Sequence, residues 1–209
     1  MIVKICGLTE TEHAVKAAEA GADLLGFVFA ASRRRVSPET ARQIINQLPA
    51  SVSKVGVFVN EDCQLVNEIA SYCGLNYVQL HGRETPAECK MISLPVIKGF
   101  RIKDENSLEQ LAPYQDSVEI FLLDTFVEGV PGGSGITFDW DLARQAASYG
   151  KVMLAGGLNP FNVTMAIAEA RPYGVDVSSG VETAGVKDPV KIQAFIDRVK
   201  GRENDVCIT

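Results

Sequence analysis

Histidine occurs only twice in the 209 residues, at His13 and His81. A catalytic metal held by a histidine cluster therefore has too few donors, and no metal is expected. The five cysteines, Cys6, Cys63, Cys73, Cys89 and Cys207, are odd in number and irregularly spaced. That fits neither a disulfide framework nor a zinc cluster. There is no basic block and no aromatic-basic stripe, which argues against nucleic acid as a partner. No apolar run approaches the roughly 20 residues that span a bilayer, so no membrane partner is expected. The N-terminus lacks the basic, apolar, small-residue order of a signal peptide, and the expected location is cytoplasmic. The first predicted strand is followed by "CGLT" rather than G-x-G-x-x-G, so the usual mark of a nucleotide crevice in an open sheet is missing.

What the chain does have is a recurring pattern. It is 46% apolar and 22% charged, with a net charge of -6, an ordinary composition for a globular domain. Short runs rich in Val, Ile, Leu and Phe start at residues 2, 24, 54, 77, 96, 120, 151 and 174. Their near-continuous apolarity suits parallel strands buried on both faces. Each interval leaves room for one helix and two turns. Helix starts are predicted at the "TETE" capping box (Thr9 and Glu12) and at Ser37-Pro38, Asn159-Pro160 and Asp188-Pro189. In the last three a capping side chain precedes a proline that loses no helical hydrogen bond. Gly21 and Gly74 sit at predicted helix ends.

Eight such βα units predict a single-domain α/β fold, a (β/α)8 TIM barrel over residues 1–201 followed by a tail at 202–209 that includes Cys207. An open doubly wound sheet is the alternative. The glycine-rich turns favour the barrel. They follow the sixth, seventh and eighth strands, and a barrel of this kind binds phosphate after strands 7 and 8.

Barrel chemistry stands at the C-terminal strand ends. Those positions select Cys6, the "SRRRV" loop (32–36), Asn60, His81, Lys98, Asp124, "GGLN" (156–159) and "SSGVE" (178–182). Gly156 and Gly157, before a predicted helix, and Ser179 and Gly180, before a predicted short turn at "VET", form a candidate phosphate site. Glycine lets backbone amides approach an anion, and helix N-termini favour it. The "VPGGSG" stretch (130–135) is long enough to cover a pocket. One of the three arginines is expected to face a ligand carboxylate, which its planar fork fits. Cys6 and Asp124 pair a thiol that can act as a base with a carboxylic acid that can donate a proton. Lys4 and the following helix start would both favour the thiolate.

These motifs resemble the phosphoribosylanthranilate isomerase family along essentially the whole chain: "KICGLT" (4–9), "GADLLGFVF" (21–29), "SRRRVSPE" (32–39), "VGVFVN" (55–60), "VQLHG" (78–82), "LLDT" (122–125), "GGSGITFDW" (132–140), "LAGGLNPFNV" (154–163) and "GVDVSSGVE" (174–182). The resemblance implies an Amadori rearrangement of N-(5-phosphoribosyl)anthranilate to its 1-deoxyribulose 5-phosphate isomer, in tryptophan biosynthesis. It implies Cys6 as general base, Asp124 as general acid, Arg34 as partner of the anthranilate carboxylate, and His81 as a pocket residue. It implies no metal, nucleotide or redox cofactor. The expected partner is a small-molecule phosphosugar-anthranilate, with monomer and homodimer both open. A metal-dependent epimerase, an aminosugar isomerase working with paired aspartates, and a non-catalytic phosphate binder are the competing readings. The scarcity of histidine weighs against the first and Cys6 on strand 1 against the second. Fold alone does not exclude the third.

Overall fold

The structure, a computed structural model, describes residues 1–124 and 140–202. Eight parallel strands close into one barrel in sequence order: β1 (Ile2–Cys6), β2 (Leu24–Val28), β3 (Ser53–Phe58), β4 (Tyr77–Leu80), β5 (Val96–Arg101), β6 (Ile120–Asp124), β7 (Val152–Ala155) and β8 (Gly174–Val177). β8 pairs back onto β1, with Lys4 opposite Asp176. The helices are α1 (Thr11–Ala20), α2 (Pro38–Ile45), α3 (Cys63–Cys73), α4 (Pro86–Lys90), α5 (Trp140–Ala146), α6 (Val163–Ala170) and α7 (Pro189–Lys200). The fifth unit carries a 3-10 helix, Glu105–Tyr114, in place of an α-helix; it contains Pro113, which supplies no amide donor. No helix among the described residues is long and apolar enough to cross a membrane. The "VPGGSG" stretch and Cys207 lie outside the described residues.

Alternation along each strand divides the apolar residues between two cores. Val3, Ile5, Leu25 and Phe27 pack outward in the large cluster that the helices cover. Leu24, Val55, Ile97, Ile120, Leu122, Met153 and Ala155, with Ile2 and Tyr77 against them, fill the barrel interior. Each such side chain stabilises by about 1.5–3 kcal/mol when fully buried. On β1 the parity that sends Val3 and Ile5 outward turns Ile2, Lys4 and Cys6 inward.

Most helix signals act as predicted. Ser37 accepts from the Thr40 amide at 3.2 Å. Asp188 accepts from the amides of Val190 and Lys191 at 2.9 and 3.3 Å. Gly21 and Gly74 end α1 and α3 in the left-handed conformation. Three expectations need correction. The Thr9–Glu12 box does not form: α1 starts at Thr11, with Glu10 as an N-cap lacking a side-chain hydrogen bond. The Gly7 and Leu8 amides both donate to the Gly26 carbonyl, and Leu8 is fully buried, so Thr9 serves as a connector. Asn159 caps a separate turn instead of α6, accepting from the Phe161 amide at 2.8 Å. The short turn after β8 spans Ser179–Val181, earlier than "VET". It leads into a two-stranded hairpin of β9 (Glu182–Thr183) and β10 (Val186–Lys187).

Candidate active site

A cavity of about 350 Å³ opens at the C-terminal end of the barrel. Cys6, Arg34, His81, Asp124, Gly156, Gly157, Ser179 and Gly180 all line it. These eight residues, all singled out from sequence, thus meet in one place, brought there by the ends of β1, β2, β4, β6, β7 and β8.

Cys6 ends β1 opposite Gly26 of β2. A side chain at position 26 would put its Cβ 2.9 Å from the Cys6 Sγ and 3.2 Å from the Lys4 Nζ. The glycine therefore leaves the space that the thiol and the ammonium share. Lys4 is fully buried and donates to Asp176 Oδ1 at 2.9 Å. Burial alone would lower its pKa. The Asp176 carboxylate, with Cys6, reverses that and holds it above the usual lysine value. At neutral pH a positive charge thus sits beside the thiol. Burial pushes the Cys73 and Cys89 thiols up to about 11.

Asp124 ends β6, and its Oδ2 lies 3.6 Å from the Nε2 of His81. The other ring nitrogen of His81, Nδ1, is 3.2 Å from the Gln79 amide nitrogen. With Gln79 donating, Nδ1 is the acceptor and the ring proton sits on Nε2, facing Asp124. Gly99 makes room for this ring: a Cβ there would lie 2.3 Å from Nδ1. The Gln79 Oε1 is buried and without a hydrogen-bond partner among the described residues. Such an orphan costs about 1–3 kcal/mol, and it belongs to a residue that lines the cavity.

The "SRRRV" loop folds back on β2, with the Val36 amide donating to the Val28 carbonyl at 2.9 Å. That turns Arg34 toward the cavity. Its Nε and Nη2 donate to the two carboxylate oxygens of Glu182 at 2.6 and 2.9 Å. After β7, Gly156 and Gly157 adopt positive φ of 83° and 65°, and nothing stands within 4 Å of where a Gly157 side chain would begin. Gly180 touches the neighbouring loop: a Cβ there would lie 1.8 Å from the Leu158 carbonyl oxygen. The loops after β7 and β8 can be this close only because residue 180 is glycine.

Comparison with known proteins places this architecture. A sequence model described as N-(5'phosphoribosyl)anthranilate (PRA) isomerase matches residues 3–198. The chain belongs to that family. It is 53% identical over 195 residues to the N-(5'-phosphoribosyl)anthranilate isomerase of Desulforudis audaxviator, covering 93% of this chain and 96% of the relative. The crystal structure of the Thermotoga maritima phosphoribosyl anthranilate isomerase superposes with a TM-score of 0.89 at 46% identity, covering 96% of this chain and all of that one. A phosphoribosyl anthranilate isomerase in complex with reduced 1-(o-carboxyphenylamino)-1-deoxyribulose 5-phosphate matches at a TM-score of 0.86 and 43% identity, with 96% and 100% covered. Membership makes this chain an isomerase on a (β/α)8 barrel.

Two strand-end residues selected from sequence stand outside this cavity. Lys98 faces away from the barrel interior, because Ile97 takes the inward position on β5. Its ammonium pairs with Glu84 at 3.2 Å and donates to the Gly82 and Gly99 carbonyls. Asn60 accepts from the Arg83 amide at 2.6 Å and so fixes the loop after β4. Conversely, Gln79 and Asp176 line the cavity without having been selected. Their signal in the sequence is a lone polar residue inside or ending an apolar strand. His13, on α1, lies 3.6 Å from Glu10. Among the described residues, no group of three or more His, Cys, Asp or Glu side chains is placed to hold a metal ion.

Proposed function

We propose that the protein converts N-(5-phosphoribosyl)anthranilate to 1-(2-carboxyphenylamino)-1-deoxyribulose 5-phosphate, as a cytoplasmic enzyme of tryptophan biosynthesis. The observation that carries the mechanism is the convergence of Cys6 and Asp124, from β1 and β6, on one cavity that also holds the glycine loops.

Asp124 is the general acid. It protonates the ribose ring oxygen while the anthranilate nitrogen lone pair forms a C1=N bond, and the C1–O bond of the ring breaks. Cys6 is the general base. Its thiolate takes the C2 proton, and that C–H electron pair forms C1=C2 as the C1=N pair returns to nitrogen. The resulting enolamine takes a proton at C1 and loses the C2 hydroxyl proton, leaving a ketone. C2 is oxidised and C1 reduced within one molecule, so the electron balance needs no redox cofactor. Lys4 supports the Cys6 thiolate through its adjacent charge. His81, with its proton toward Asp124, stabilises the carboxylate left after proton transfer.

The remaining groups hold the substrate. Backbone amides around Gly156, Gly157, Ser179 and Gly180 bind the phosphate, and Arg34 takes the anthranilate carboxylate. The direct test is the loss of anthranilate-type fluorescence when purified protein meets freshly made phosphoribosylanthranilate. Tight binding of a reduced product analogue with no turnover would instead identify a non-catalytic binder.

A further inference from the structure

We propose that Glu182 is a positioning residue that sets selectivity for the substrate carboxylate by holding the guanidinium of Arg34. The proposal rests on the reading that Arg34 takes that carboxylate.

Glu182 opens the β9–β10 hairpin, and its side chain is only 4% exposed. Three cations converge on it. Arg34 engages both oxygens, Arg33 donates from Nη2 to Oε2 at 2.9 Å, and Lys187 donates from Nζ to Oε1 at 2.7 Å. Lys187 lies opposite Glu182 in the hairpin register, so the pair is built into the turn. One carboxylate against three cations leaves the cluster with an excess of positive charge, at a cavity wall lined by Arg34. That excess suits an incoming anion.

The geometry also says how Arg34 can serve two carboxylates. Glu182 occupies the Nε–Nη2 edge of the guanidinium. A guanidinium has five N–H donors, and among the described residues the edge made by Nη1 and the second Nη2 hydrogen is left for a second bidentate partner. A flexible arginine loses rotamer freedom on binding; one already clamped loses less. The clamp is itself anchored. Lys187 Nζ donates to the Ser178 carbonyl at 2.9 Å, and Ser178 Oγ donates to the Cys6 carbonyl at 3.1 Å. Lys191 Nζ donates to the Glu182 carbonyl at 3.0 Å. A continuous set of hydrogen bonds therefore ties the carboxylate-binding arginine to the end of β1. Gly7 completes the fit, since a Cβ there would lie 2.4 Å from Arg34 Cδ.

The test measures Kd for two reduced, open-chain product analogues, one with the ring carboxylate and one without it. The ratio of the two is the selectivity. Arg34→Ala and Glu182→Gln should each lower the ratio at least about 5-fold, and the double variant should lose little more than Arg34→Ala alone. Glu182→Asp keeps the charge but shortens the reach, and should recover part of the ratio lost in Glu182→Gln. A melting curve for each variant shows that the fold is retained. A Glu182→Gln protein with the parent ratio, or with tighter binding of the carboxylated analogue, would overturn the proposal while leaving Arg34 in its role. Additive losses in the double variant would overturn it too. A parent ratio retained in Arg34→Ala would overturn the carboxylate reading itself, and this proposal with it. Should Glu182→Gln fail to fold, Glu182→Asp decides: an undiminished ratio overturns the proposal, and a reduced one supports it.

Discussion

Lys4 and Asp176 meet inside the barrel at 2.9 Å, on paired positions of β1 and β8, with the Lys4 ammonium beside the Cys6 thiol. The relationship joins stability to chemistry. The pair is buried in the barrel interior, yet its cation stands next to the proposed base.

Lys4→Met should therefore lose stability in a pH-dependent way. Removing one member of a buried pair leaves Asp176 uncompensated, at a cost of about 3–5 kcal/mol in urea unfolding at neutral pH. The pH dependence has a definite sign. The folded-state pKa of Lys4 lies above its ordinary value of 10.5. The pair's stabilisation is thus fully present below that value and is lost as pH rises through the raised one. The stability gap between parent and variant should be constant from pH 7 to 9 and narrow only at strongly alkaline pH. A uniform gap across the whole range would assign the loss to packing.

Cys6→Ser and Asp124→Asn should each lower kcat by about 10² to 10⁴-fold, with smaller changes in KM. Serine has a hydroxyl far harder to deprotonate than a thiol, and asparagine has no acidic proton to give. Both variants should still bind a reduced, ring-opened analogue. More than about a tenth of the parent kcat in Cys6→Ser would exclude Cys6 as the base.

Alkylation separates the thiols without any turnover. Cys73 and Cys89 are buried, and their thiols are pushed up to about 11. The Cys63 thiol is raised by burial and by the carboxylates of Glu88, Asp62 and Glu84. Only the thiolate reacts. Treatment of the folded protein with iodoacetamide near pH 7.5, a value chosen well below those of Cys73 and Cys89, should leave these two unmodified by peptide mass mapping. Cys6, which lines the cavity, should react, and a product analogue should protect it. Modification of Cys6 at the same rate with and without the analogue would place the thiol outside the binding site.

The two glycine loops should respond differently to alanine. Gly157→Ala meets open space but must hold φ near 65°, so it should cost about 1 kcal/mol in stability. Its main effect should be weaker binding of a phosphorylated analogue, with little change for the dephosphorylated one. Gly180→Ala drives a methyl into the Leu158 carbonyl and should disturb both loops. It should lower the melting temperature and the phosphate-dependent affinity together. Equal phosphate contributions in the parent and in both variants would move the phosphate site elsewhere.

Much of this architecture was legible in the chain. Eight apolar runs, four of them followed by a capping signal, leave few topologies, and the glycine turns after the seventh and eighth strands select the barrel. Strand ends then name the cavity residues, because chain direction alone puts every one of those ends at the same rim. The capping signals were less complete. Asp188 and Ser37 cap as read, but Thr9 and Asn159 do not. Whether a capping side chain meets its amide depends on where tertiary packing lets the first turn begin.

Facing was not legible, and the reason lies in the barrel itself. Strands buried on both sides are apolar on both sides, so alternation carries no mark of inside and outside. Lys4 and Lys98 look alike in "IVKIC" and "VIKGF". Closure of the sheet turns Lys4 inward to Asp176 and Cys6 and turns Lys98 outward to Glu84. The partners are equally invisible to local reading: Arg34 and Glu182 are 148 residues apart. The sequence by itself determined the unit, its eightfold recurrence and the residue types at the rim, because these are local patterns of polarity and turn chemistry. The tertiary structure alone decided which charges share the interior and which carboxylate holds the arginine, because register and closure are properties of the whole sheet.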